Sequence, residues 1–119
     1  MPKTSITKIV PKGAYGDYSV ADSADIAFAA ADVGNGNQFL CGPMDLVLVW
    51  NSGASAYTVT ITSMADHFGR TKDITTYSIG AGEYAMFGPF TSEGWKQTDG
   101  YVYISANNVA VKFAVFQLQ

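Results

Sequence analysis

Residues 56–63, AYTVTITS, alternate hydroxylated and apolar side chains. In an extended chain Tyr57, Val59 and Ile61 fall on one side and Thr58, Thr60 and Thr62 on the other. A helix would spread both sets around its circumference, so this segment is a strand with one buried face. The same period recurs along the chain. DLVLVWNS sets Leu46, Leu48 and Trp50 against Val47 and Val49, and DIAFAAAD sets Ile26, Phe28 and Ala30 on one side. DITTYSI, the glycine turn GAGE and YAMFGPF follow. The loop NSGASA is of the short Gly/Ser/Asn kind that joins hairpins. YVYISA and VAVKFAVFQL flank Asn107-Asn108, a pair that accepts the positive φ of a type I′ turn and predicts a terminal hairpin. No segment carries a capped apolar i, i+3, i+4 pattern of helical length. These observations predict an all-β fold: a seven- or eight-stranded antiparallel sandwich, jelly-roll or immunoglobulin-like. Val102, Ile104, Val111, Phe113 and Val115 are expected to supply much of its core.

The first 24 residues differ from the rest. They hold Pro2, Pro11, Gly13 and Gly16, and only SITKIV is fit to pair as a strand. The division expected is an extended N-terminal arm over 1–24 and a β-sandwich over 25–119. The arm either pairs with its own sheet as an edge strand or adds to a neighbour's sheet edge. Lys3, Lys8 and Lys12 make it a candidate contact for acidic patches on a partner.

A chain of 119 residues is one domain. Hydrophobic residues make up 48% and charged residues 14%, the latter well under the roughly 25% of soluble domains. With a net charge of -3 and no basic stripe, neither a disordered tail nor a nucleic-acid binder is expected. Low charge instead suits a surface that lies against other protein. The single cysteine, Cys41, has no partner for an internal disulfide, which argues against a disulfide-stapled secreted scaffold. It reads as a buried, inert thiol. The N-terminal MPKTSITKIVPKG has no apolar run of a signal peptide, and LVLVW is far too short to cross a bilayer. The expectation is synthesis in the cytoplasm with no membrane contact.

Reactive chemistry has one place to sit, ADHFGRTKD at 65–73, which contains the only histidine, His67, with Asp66, Arg70, Lys72 and Asp73 close by. A Ser-His-Asp triad needs a nucleophile on a strained turn, and no G-x-S-x-G occurs. A zinc site needs three or four ligands from His, Cys and carboxylate, and one His with one Cys falls short. A calcium loop needs a dense run of oxygen ligands, and here Arg70 and Lys72 interrupt the acids. GNGNQF lacks the third glycine of a dinucleotide fingerprint. No enzyme, cofactor or metal is expected. The loop is either a self-stabilised surface connection, with Arg70 forked onto Asp66 or Asp73, or a contact loop. In the second case Arg70 and Lys72 meet a partner while His67 and Phe68 pack on it.

One resemblance is present. N-x-G-x-x-x-x-T-V-T-I from Asn51, D-x-x-G-R-x-x-D-I from Asp66, G-E-Y-x-x-F-G-P-F from Gly82 and the Gly94-Trp95 pair cover residues 50–118. In these the chain resembles small proteins of the head-gene region of tailed bacteriophages and prophages. That resemblance implies a decoration (cement) protein on the outer capsid surface of the virion, with the major capsid protein as partner. It also implies a homo-oligomer, a trimer by analogy. Two rivals stand beside it: another virion component, such as a neck, tail or head-fibre base protein, and a carbohydrate-binding sandwich offering Trp95, Tyr101 and Tyr103 as stacking faces.

Overall fold

The computed structural model describes residues 3–10, 25–42, 44–65, 67–71 and 73–117. Among these lie nine strands: β1 Thr4–Ser5, β2 Ala29–Ala30, β3 Asn37–Leu40, β4 Asp45–Asn51, β5 Tyr57–Thr62, β6 Ile74–Ile79, β7 Tyr84–Phe90, β8 Tyr101–Ala106 and β9 Val111–Gln117. They form two sheets, β1-β3-β8-β5-β6 and β2-β9-β4-β7. Every strand pairing is antiparallel except that of β1 with β3. Two of the strands are only two residues long, so the expected sandwich is present with seven substantial strands.

The order of strands settles which sandwich it is. From β2 to β9 the chain changes sheet at every connection except β5 to β6. The rows 2-9-4-7 and 3-8-5-6 are those that two wrapped Greek keys produce, so the topology is that of a jelly roll. The loops NSGASA and GAGE are therefore arches between sheets and not hairpin turns. The predicted terminal hairpin is also an arch. β8 and β9 belong to different sheets, and neither Asn107 nor Asn108 adopts positive φ. Asn107 instead accepts from the Thr58 amide at 3.0 Å, and Asn108 from that of Ala110 at 2.8 Å.

Period-two patterning fixes the core. β4 buries Asp45, Val47, Val49 and Asn51 and turns Leu46, Leu48 and Trp50 outward. Val59 and Ile61 of β5, Val102 and Ile104 of β8, and Val111, Phe113 and Val115 of β9 are at most 2% exposed. They join Phe39, Ile79 and Phe90 in one cluster. The five predicted core residues are all in it. Cys41 packs against it at its edge, where burial raises the thiol's pKa.

Two buried polar residues brace the ends of β4. The Asn51 amide donates to Ser55 O at 2.7 Å and Ile79 O at 2.9 Å and accepts from Gly53 N. One side chain thus ties β4, the following arch and the end of β6. At the other end Asp45 accepts from Gly42 N at 2.7 Å and faces Lys8 Nζ at 3.4 Å. Gly88 of β7 lies against this point. A Cβ there would meet the Asp45 carbonyl oxygen at 2.9 Å, so only glycine lets the strands approach.

Residues 3–10 run along the open side of the sandwich. Thr4 and Ser5 pair in parallel with β3, Ile6 is 6% exposed, and Ile9 bridges Phe116 in the other sheet. This short segment closes both sheets at once. The remainder of the predicted arm, residues 11–24, lies outside the described residues.

Candidate functional site

The β5–β6 connection, the charged loop, is held against the segment that follows β7. Met64 N donates to Gly94 O at 2.7 Å, and Gln97 Nε2 donates to the carbonyls of Thr62 and Ser63. His67 N donates to Glu93 Oε2 at 2.8 Å, and its Nδ1 lies 3.3 Å from the same oxygen. Ser63 donates from both its amide, at 2.8 Å, and its hydroxyl, at 2.6 Å, to Asp73 Oδ1. Between the two segments is an open cleft of about 250 Å³, lined by Ser63, Met64, Arg70, Glu93 and Trp95. Trp95 lies edge-on to Phe90 at 4.8 Å, which ties this wall of the cleft to the core.

At the tip, Phe68 stands 68% exposed. The Arg70 guanidinium lies 4.8 Å over its ring, and the His67 ring is 3.9 Å away. The loop therefore presents an aromatic and a cation as one unit. Its polar groups are arranged for support. The serine hydroxyl is given to Asp73 and the histidine to Glu93, so these side chains do not form a nucleophile–base pair. Asp66 and Lys72 lie outside the described residues, and with them the predicted fork from Arg70 to Asp66. Among the described residues no group of three or more His, Cys, Asp or Glu is placed to hold a metal ion.

Of the arm lysines, Lys3 donates to Asn35 O at 3.3 Å and sits 4.8 Å over the Tyr103 ring. Lys8 reaches Asp45, and Lys12 lies outside the described residues. Lys3 and Lys8 thus both have partners on their own chain. Of the sugar-stacking candidates, Trp95 packs on Phe90 and Tyr103 donates its hydroxyl to Asp99 at 2.6 Å.

The larger surface feature was not singled out in the sequence. The nine strands contain two charged residues, buried Asp45 and Lys112. The outer face of the five-stranded sheet carries hydroxyls: Thr58, Thr60 and Thr62 with Tyr103 and Ser105 beside them. The outer face of the four-stranded sheet is apolar among the described strand residues except at Lys112. Leu46, Leu48 and Trp50 lie between Phe116, Ala114 and Lys112 of β9 and Met86 and Tyr84 of β7. Met86 is 61% and Tyr84 58% exposed. Trp50 stacks on Tyr84 at 5.5 Å, and Phe28 closes the cluster at 5.5 Å and 6.4 Å from them. The alternation of LVLVW did show Leu46, Leu48 and Trp50 sharing a side. That this side faces outward required the sheet order.

Three carboxylates are held below their ordinary range by hydrogen bonds: Asp73 by the Ser63 hydroxyl, Asp32 by the Thr4 hydroxyl and Asp99 by Tyr103. A carboxylate with a depressed native pKa adds stability above its unfolded value near 3.8, and that contribution is lost as the pH falls through the native value. Stability measured by urea unfolding is expected to fall as the pH is lowered below about 3.8 toward the depressed native values. Asp73→Asn should flatten that slope. An unchanged slope would remove Asp73 from the account.

Comparison with protein-family models, with curated proteins and with solved structures gives no match.

Proposed function

We propose that this chain is a non-enzymatic structural protein of a tailed-phage virion, a decoration protein that binds the major capsid protein on the outside of the shell. The observation that carries the reading is the confinement of charge: two charged residues in nine strands, one of them buried. Among the strand residues only Lys112 would be desolvated by covering the outer faces with protein, and desolvating charges is the costly part of burying a surface. The head-gene resemblance supplies the partner. The presented tip of Phe68 and Arg70 supports it, being of the residue types enriched in interfaces.

The test is whether the tagged chain, expressed during phage growth, copurifies with DNA-filled heads. The expected result is a copy number comparable with that of the major capsid protein. Phe68→Asp and Arg70→Glu should lower occupancy at least about tenfold, the loss of one interface anchor, while His67→Gln leaves it unchanged. A few copies per particle would make it a neck, tail or head-fibre base protein instead. Absence from particles, with binding on a glycan array, would make it a carbohydrate-binding module.

A further inference from the structure

We infer that the apolar outer face of the four-stranded sheet docks on the same face of a second copy of this chain, forming a reversible two-fold pair. The face is organised in rows. Lys112, Trp50 and Tyr84 form one across β9, β4 and β7, and Leu48 and Met86 the next, beside Ala114, which is itself fully buried. A two-fold axis lying in the interface along β4 sets β9 of one copy against β7 of the other. Lys112, the one charge of the face among the described residues, then meets the exposed ring of the second copy's Tyr84, where a cation is attracted to the ring face. Strand spacing keeps the two lysines about 10 Å apart across the contact, and each lies against a ring instead of the other lysine. Apolar rows cover apolar rows, in the aligned packing that two sheet faces adopt. The face therefore brings both halves of an isologous contact, apolar surface and a cation with its acceptor.

Area decides how tight the pair is. Exposed parts of these side chains amount to about 400–500 Å², given the area a large side chain covers. A standard interface buries about 800 Å² per partner, so this pair forms and dissociates with concentration. An isologous contact closes at two, and a three-fold ring would need a different, heterologous surface. The inference does not depend on the virion reading, because it is tested on the isolated chain.

The test is sedimentation equilibrium of the full chain over a wide concentration range. Apparent mass is expected to rise from one chain toward two. Met86→Glu should hold it at one throughout with an unchanged melting temperature, since the residue is exposed and its loss leaves the fold intact. Lys112→Glu, which places an anion against the ring, should shift the dimerisation midpoint upward at least about tenfold. A monomer at every concentration would overturn the inference. So would a pair indifferent to Met86→Glu, a mass reaching three chains, or a face that binds only a different protein.

Discussion

Phe113→Ala is expected to lower the free energy of unfolding by about 3–5 kcal/mol. Phe113 is fully buried on the inner side of β9, which lies between β2 and β4. Its register partners are Ala29 on one side and Val49 on the other. Across the sandwich the same cluster contains Phe39, Val102 and Ile104. Truncation removes the ring's transfer free energy and leaves a cavity, and a central strand bonded on both sides cannot move inward to fill it. Against the roughly 5–15 kcal/mol that holds a typical domain folded, this is a large fraction. Urea unfolding reads it as a lower midpoint with an unchanged slope. Met86→Ala, on the exposed face of β7, should stay within about 0.5 kcal/mol of the parent. A Phe113 effect below about 1 kcal/mol would put the ring outside the core and reverse the register of β9.

Inside and outside were legible in the sequence because a strand's side chains alternate with a period of two. Val59 and Ile61, and Val111, Phe113 and Val115 face inward as that period requires, while for Val47 and Val49 it gave only that they share a side. Alternation says nothing about which sheet a strand joins next. A short connection serves a hairpin and an arch equally well, so NSGASA and Asn107-Asn108 read as turns within a sheet. Their side chains tell otherwise only through long-range bonds: Asn51 to Ile79, 28 positions on, and Asn107 to Thr58, 49 positions back. The candidate loop was legible as a charged segment, but its support was not. Glu93, which holds His67, is 26 positions away. The outer apolar face was hidden for a different reason. An antiparallel strand is expected to turn polar residues outward, and LVLVW is apolar on both sides.

Deleting residues 2–9 is expected to leave a chain that does not fold at room temperature. By sequence these residues read equally as a basic attachment arm and as an edge strand. The described contacts put three structural duties on them. Ile6 fills the core at 6% exposure, and burying an isoleucine contributes about 1.5–3 kcal/mol. Backbone bonds from Thr4, Ile6 and Ile9 occupy the edges of both sheets. Lys8 neutralises Asp45, whose side chain is fully buried. At 3.4 Å the pair is longer than a tight charged hydrogen bond, so its loss belongs at the low end of the range for a buried charge left alone, about 3 kcal/mol. Together these losses reach the whole stability of an ordinary domain. Point variants separate the charge from the packing. Lys8→Met should cost about 3 kcal/mol by chemical unfolding, because it removes the cation that faces buried Asp45 and leaves the Gly42 amide as its partner among the described residues. Asp45→Asn should cost less, since the Lys8 side chain is 14% exposed and its ammonium can still reach water. The double variant should recover more than half of the Lys8→Met loss. The carboxamide oxygen introduced at position 45 still accepts from the Gly42 amide, and no buried charge remains. A truncated chain that melts at the parent temperature would return residues 2–9 to the role of a free attachment arm, and equal single and double variants would dissolve the Lys8–Asp45 coupling.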